Sequence, residues 1–522
     1  MDYDFIIIGT GAGGATLAYD LAPTGARILI IERGDFLVRE QDNWDPKAVF
    51  VDAKYQADEI WHDRDGNAFR PGIHYYVGGN TKFYGATLLR LREADFGEIV
   101  HAGGISPAWP ITYAEMEPWY CAAEQLYHVH GQAGIDPTEP PRSQPYPYPP
   151  VAHEPAVARI VENLTREGLH PFPLPLGILL DQDDTGKPTR HSACIRCSAF
   201  DGFPCLVNGK ADAHIICMEP ALQYPNVTLL TQAFVERLDT DVAGQTVTSV
   251  QVRRNGVMES YRATTVVVSC GAINSAALLL RSKSSVHPNG LANGSDVVGR
   301  HYMRHNNSAF MAVSRHRNET VFQKTMGIND YYVGSTDFSY PLGHIQMLGK
   351  SHGDTIEGEL PGWLPIKPTF ALSEVADHAV DFCLTSEDLP DPDNRVTLGA
   401  DGGIVLSCTP NNMEAHHKLK EKLKDMLDAM DLHPQLLERR FYLGKDIPIG
   451  GTAHQNGTIR FGDDPRTSAL DIHCKAHELD NQYLVDASFF VSCGALNPSL
   501  TIIDNALRVG AHLRARMAPT AP

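Results

Sequence analysis

The chain has 522 residues, with 44 lysines and arginines against 63 aspartates and glutamates, for a formal net charge of −19. That acidity argues against a nucleic-acid or anionic-membrane partner, and 43% hydrophobic with only 20% charged residues excludes disorder as the main state. The most apolar run, Val266 to Leu280, is too short for a bilayer core of about 30 Å and is broken by Ser269, Asn274 and Ser275.

The N-terminus carries the strongest local signal. Asp4 to Ile8 reads as a buried strand, Gly9-Thr10-Gly11-Ala12-Gly13-Gly14 as a tight turn, Ala15 to Leu21 as a helix, and Ala26 to Ile31 as a second buried strand ending in Glu32. This is the dinucleotide fingerprint in the context it requires. Gly9 lets the turn close, Gly11 lets backbone approach a pyrophosphate, and Gly14 lets the helix sit against the strand. The helix N-terminus then faces the diphosphate. Glu32 is placed to bond the adenosine ribose hydroxyls, and its carboxylate disfavours a 2′-phosphate. The opening Met1-Asp2-Tyr3-Asp4 is acidic and lacks a secretory pattern. The 10 cysteines are therefore expected to be reduced thiols in a cytoplasmic protein.

Residues 36–75 show no clear period. A glycine-flanked loop follows, Tyr75 to Gly85. Thr112 with Glu115 forms a capping box, predicting a helix to about Tyr127. The proline-rich stretch Asp136 to Pro150 predicts an extended arm or a lid. Ala156 to Gly168 reads as an amphipathic helix. Cys194, Cys197 and Cys205 have a zinc-like spacing but no evident fourth ligand, since Cys217 falls in a run of helical type, Ala211 to Leu222. Loop or buried thiols are the expectation.

Asn226 to Thr231 and Ala233 to Leu238 read as strands, with a hairpin from Val247 to Arg253 and Glu259 to Ala263. Thr265 to Leu280 is a strand, a small-residue turn at Gly271, and a helix. Residues 307–410 alternate apolar segments with loops, the pattern of a largely antiparallel second domain. Asn412 to Met430 is a charged amphipathic helix with a solvated face. Near the C-terminus, His454 lies among small residues from Gly450 to Thr458. Tyr483 to Asp486 reads as a strand ending in an acid. Asn497 and Thr501 sit at a loop-to-helix junction before a helix from Ile502 to Met517, where side chains and helix N–H groups converge. His301 and His305 are spaced as a helical metal pair without a third ligand, so structural roles are expected.

Alcohol oxidation removes a hydroxyl proton and a hydride from one carbon. Histidine suits the first task near neutral pH, which makes His454 the candidate base. Asn497 is suited to donate to the developing alkoxide. Thr452, two residues before His454, is a candidate border of the substrate, with Gln346 as a further substrate candidate.

The fingerprint, Val77 to Gly85, Gly271 to Ser275, Val298 to His305 and the pair His454 and Asn497 together resemble the glucose-methanol-choline (GMC) flavin oxidoreductases, in order from about residue 3 to 515. The His–Asn pair, Glu387 to Val396 and Asp337-Phe338-Ser339-Tyr340, which resembles a mobile substrate loop, are similar to the pyranose oxidase branch and its bacterial relatives acting on C3 of glycosides. The resemblance implies an α/β fold, with a Rossmann-type FAD domain at 1–50, 190–306 and 445–522. It implies an interleaved substrate domain at 51–189 and 307–444, built on a largely antiparallel sheet. It implies FAD contacts from Gly9, Gly11, Gly14, Glu32, Gly79, Thr81, Tyr84, Val235, Gly271, Asn274, Asp486, Asn497 and Thr501, and substrate contacts from Thr452, Gln346 and Asp337, with no metal. Where covalently flavinylated relatives carry histidine, this chain has Phe83, so FAD is expected to be non-covalent. The implied reaction oxidises a secondary hydroxyl of a sugar or C- or O-glycoside, C3 favoured and C2 open, with oxygen or a quinone as acceptor. A non-redox lyase on the same fold is the remaining alternative. The oligomeric state is left open.

Overall fold

The computed structural model describes residues 2–314, 316–354, 369–429, 437–438 and 453–517. A five-stranded, wholly parallel sheet takes the order Val227–Leu230, Ile28–Ile31, Tyr3–Ile8, Ala263–Val268, Gln482–Leu484. Its strands are rich in Ile and Val and covered on both faces, as parallel strands must be. Helix Ala12–Leu21 packs on the C-terminal helix Ser499–Met517. The apolar run after Val266 divides into strand Ala263–Val268 and helix Ala272–Arg281. No described helix is long and apolar enough to cross a membrane.

A three-stranded antiparallel meander, Ala233–Thr240, Val247–Arg254 and Val257–Tyr261, flanks this sheet. The hairpin ends at Tyr261, and Ala263 already belongs to the parallel sheet, because Arg262 turns the chain from one ladder to the other.

A second sheet has six strands, all antiparallel, in the order Leu437–Glu438, Asn306–Val313, Ala379–Ser386, His344–Met347, Met326–Ile328, Phe172–Pro173. The amphipathic helices Pro155–Arg166 and Met413–Ala429 cover it, sharing a core of Ile160, Leu164, Phe310, Phe382, Leu419 and Leu423. The fold is thus the α/β arrangement expected: a Rossmann-type unit beside a largely antiparallel sheet.

Thr112 and Glu115 form the capping box reciprocally, Glu115 N donating to Thr112 Oγ1 at 3.3 Å and Thr112 N to Glu115 Oε2 at 2.7 Å, and the helix runs Tyr113–Leu126. The proline-rich arm packs against this helix. Tyr113 Oη donates to Pro141 O at 2.7 Å, and Arg142 lies 3.7 Å over the Tyr146 ring and pairs with Glu124 and Glu139. No residue from 136 to 150 lines the main cavity, and the segment packs as an arm.

Candidate active site

A cavity of about 740 Å³ runs between the two sheets, from the fingerprint turn to His454 and Asn497. At its first end, glycines do three different things. Gly9 has φ +100°, and a Cβ there would lie 2.2 Å from Ser269 O. A Cβ on Gly13 would lie 1.9 Å from Val485 O, and one on Gly14 2.1 Å from Gly9 O, so both hold the helix against the sheet. A Cβ on Gly11 meets nothing within 4 Å: that position faces open cavity at the helix N-terminus, as a pyrophosphate site requires. Gly79, at φ +56°, closes on this turn, its added Cβ falling 3.3 Å from Gly11 Cα.

Glu32 is buried in the cavity wall. Its carboxylate accepts from Thr10 N (3.0 Å), Thr10 Oγ1 (2.5 Å) and Gly34 N (2.9 Å), and burial pushes its pKa up. Oε1 accepts from Gly34 N, and the carboxylate lines the cavity. Val235 and Asn274 line the same end. Asp486 accepts from Gly271 N (3.0 Å), Ser275 Oγ (2.5 Å) and Ser488 N (2.9 Å), which fixes a carboxylate beside the N-terminus of helix Ala272–Arg281; burial raises its pKa too. Thr81 Oγ1 donates to Gly78 O at 2.6 Å, and the Tyr84 hydroxyl donates to Ala211 O; both residues line the cavity. Phe83 stands in the wall stacked on His74, centroids 3.7 Å apart and planes at 15°. These residues suit a long dinucleotide: open backbone for the diphosphate and carboxylates for hydroxyls.

The far end holds the candidate chemistry. Asn497 Nδ2 lies 3.5 Å from His454 Nε2, and Gln346 Nε2 donates to Asn497 Oδ1 at 3.4 Å. Asn497 Oδ1 is thereby directed to Gln346 and its NH₂ to His454; this amide assignment rests on the bonding network. His454 Nδ1 lies 2.7 Å from His305 Nδ1, whose ring stands perpendicular at 86°. Burial, with His305 and Lys324 adding to it, holds His454 well below the ordinary histidine value of 6.5. Burial likewise brings His305 down to about 4. Lys324 pairs with Asp201 at 2.5 Å, and Gly349 N donates to the other Asp201 oxygen at 2.5 Å.

Among the expected residues, Gly9, Gly11, Glu32, Gly79, Thr81, Tyr84, Val235, Gly271, Asn274, Gln346, His454, Asp486 and Asn497 meet on this one cavity. Gly14 stands behind it as a packing contact. Thr501 does not reach the wall. The final helix begins at Ser499, earlier than the pattern indicated, which turns Thr501 inward to Tyr120 Oη at 2.8 Å. Asp337 lies on an exposed loop, bonded to Lys422 and Ser335 and outside the cavity. Thr452 lies outside the described residues. Cys194, Cys197 and Cys205 remain free thiols, and the described residues contain no group of three or more His, Cys, Asp or Glu placed for a metal. Lys324 and Asp201 carry no signal in the sequence, and His305 and Gly13 appear there without these contacts. His305 was visible in the Val298-to-His305 connector but was read as half of a helical pair with His301. It instead immediately precedes strand Asn306–Val313, and no helix pairs the two.

Residues 181–306 and 390–506 match the two GMC oxidoreductase family models. The chain is 30% identical to 6'''-hydroxyparomomycin C oxidase of Streptomyces lividus, over 99% of this chain and 92% of that protein. It is also 30% identical to paromamine 6'-oxidase of Streptomyces fradiae, over 97% and 90%. Pyridoxine 4-oxidase from Mesorbium loti superposes with a TM-score of 0.66 at 17% identity, over 98% of this chain and 99% of that one. The chain belongs to the GMC oxidoreductases, and it is an FAD-dependent enzyme of that family.

Proposed function

We propose that this enzyme oxidises a secondary hydroxyl of an uncharged sugar or glycoside to a ketone, at C3 in preference to C2. The carrying observation is the His454–Asn497 pair facing one cavity end at 3.5 Å. A substrate hydroxyl set between them gives its proton to His454 Nε2 while Asn497 Nδ2 donates to the oxygen as it becomes an alkoxide. FAD, which Phe83 offers no atom to link covalently, would supply hydride acceptance at N5 when bound, with oxygen as the proposed final acceptor, reduced to hydrogen peroxide. Glu32 is assigned to the ribose, the Gly11 backbone to the pyrophosphate and Asp486 to the polyol chain. Gln346 aligns Asn497 and borders the substrate. We assign residues 1–50, 190–306 and 445–522 to the FAD domain and 51–189 and 307–444 to the substrate domain.

Charge supports an uncharged substrate. The carboxylate of Asp201 is engaged by Lys324 and Gly349, and Lys350 also lines this end. Among the described residues, an amino sugar with several ammonium groups would meet Lys350 and the Lys324–Asp201 pair, with the Asp201 carboxylate already engaged. The C3 preference rests on the resemblance to the glycoside-oxidising branch. The test is anaerobic mixing of the yellow enzyme with glucose, a C-glycoside, an O-glycoside and paromamine, following the flavin band near ~450 nm. Bleaching by glucose or a glycoside supports the reading. Bleaching by paromamine alone overturns the uncharged-substrate assignment, and no bleaching by any of them overturns sugar oxidation. Readmitting air distinguishes oxygen from a quinone acceptor by the rate of recolouring.

A further inference from the structure

The geometry points to His305 as the residue that sets the tautomer of His454. This rests on His454 being the base of the reaction proposed above. His305 Nε2 faces the carbonyl oxygen of Cys493 at 3.3 Å, and a carbonyl only accepts. Nε2 of His305 therefore carries the proton, and its Nδ1 in the neutral ring carries the lone pair. At 2.7 Å from that lone pair, His454 Nδ1 must be the donor. The remaining nitrogen of His454, Nε2, is left unprotonated and aimed at Asn497 and the cavity. That is the only neutral form of the ring that can take a hydroxyl proton there. The opposite tautomer would set two N–H groups, from His454 and Asn497, against each other.

His305 is buried, with 1% of its surface exposed, so water does not replace it as an acceptor. Its anchor is the Cys493–Gly494 backbone, which is tied to Glu387 through Gly494 N at 3.2 Å; Glu387 in turn accepts from Ser106 Oγ at 2.8 Å, and His101 Nε2 lies 3.0 Å from its other oxygen. The charged and titratable groups acting on the two rings are Lys324, His344 and Glu387. When His454 takes the substrate proton at Nε2, its Nδ1–H stays bonded to His305, which stabilises the new imidazolium. His305 is thus a positioning residue acting through His454.

Two replacements separate this role from packing. His305→Asn keeps an acceptor oxygen where Nδ1 stands, and His305→Leu keeps bulk without an acceptor. In flavin-loaded enzyme, His305→Leu is expected to lower kcat by about 100-fold with little change in KM, and its acidic kcat/KM limb is displaced from the parent's, because His454 loses both the acceptor at Nδ1 and the charge of a protonated His305. His305→Asn is expected to stay within about 10-fold of the parent, with its limb near the parent's. Equal losses in both variants with an unmoved limb, or full activity of His305→Leu, overturn the assignment. If His305→Leu does not load flavin, His305→Asn decides alone: a loss of about 100-fold overturns it, and retention supports it. Histidine ¹⁵N spectra of the holoenzyme read the tautomer without turnover. An unprotonated His454 Nε2 in the parent, assigned by its disappearance in His454→Gln, is the expected result, and a protonated one overturns the proposal. An unprotonated Nε2 in an enzyme that no sugar bleaches would sink the substrate reading while leaving this one standing.

Discussion

Gly13→Ala and Gly11→Ala, only two residues apart, are expected to fail in different ways. At Gly13 the new methyl carbon falls 1.9 Å from Val485 O and 2.7 Å from its carbonyl carbon. Ordinary contact begins near 3.4 Å, so helix Ala12–Leu21 and the strand end at Val485 must part by about 1.5 Å. Both sides are backbone and neither has a rotamer to yield, which places the cost at the upper end of overpacking, about 3 kcal/mol. Unfolding entropy of about 2.1 cal/mol/K per residue makes 1 kcal/mol worth only about 1 °C in a chain of this length, so Tm falls by about 3 °C. The loss is present with or without FAD. At Gly11 the methyl meets no protein atom within 4 Å and the residue already has negative φ, so flavin-free Tm is expected to be unchanged. The methyl occupies the approach to the pyrophosphate and weakens FAD by about 10- to 100-fold, or about 1.4–3 kcal/mol. Thermal scans of the flavin-free proteins and fluorescence titration with FAD separate the two. Gly11→Ala with parental FAD affinity but a lowered apoprotein Tm would refute the assignment of this turn.

Further consequences can be measured. Removing the base with His454→Ala, or the alkoxide donor with Asn497→Leu, is expected to cut kcat by about 10²- to 10⁴-fold while flavin absorbance per protein is retained; a loss under 5-fold in either counts against the pair. Because burial holds the His454 imidazole well below 6.5, kcat/KM is expected to stay flat from about pH 8 to 6.5 and to decline only at lower pH. Lys324→Met removes a cation that acts on His454, so the acidic limb should move to higher pH; no movement would show that Lys324 is not felt at the base. His416 is buried between Ser308 Oγ (2.8 Å) and Ser386 Oγ (3.0 Å), and burial takes it down to about 3. The unfolded chain binds that proton below about 6.5 and the folded one does not, so stability falls as pH drops from 6.5 toward 3. At pH 5 this one group costs about 2 kcal/mol relative to pH 7. Buried Asp388 and Asp95, pushed up to about 7 and about 6, act in the opposite sense, so the comparison is His416→Gln against the parent: urea unfolding at pH 7 and 5 should show the variant losing less stability by about that amount.

Local order along the chain was legible wherever one short segment contains its own reason. The strand–turn–helix–strand at the N-terminus, the Thr112–Glu115 cap and the strand ending at Asp486 all follow from patterning and near-neighbour bonds. The family was legible because several such segments recur in order, and with it the meeting of Glu32, Gly271, Asp486, His454 and Asn497 on one cavity. Contacts across long separations left no such trace. Gly13 carries no role in the fingerprint pattern, yet Val485 O lies against it, and Thr501, expected as a cofactor contact, is turned to Tyr120 by an earlier helix start. Asp337 matched a loop motif, yet it faces Lys422 on the outside of the protein.

What the sequence determined by itself, then, was which segments form strands and helices, because hydrophobic period and glycine placement act over a few residues. Tertiary structure alone decided which nitrogen of His454 is free. That depends on His305, distant in sequence, and on the Cys493 carbonyl that fixes His305, and a proton's position follows only from partners brought together in space. The same holds for the Lys324–Asp201 pair at that end of the cavity, which joins two segments that show no common pattern in the chain.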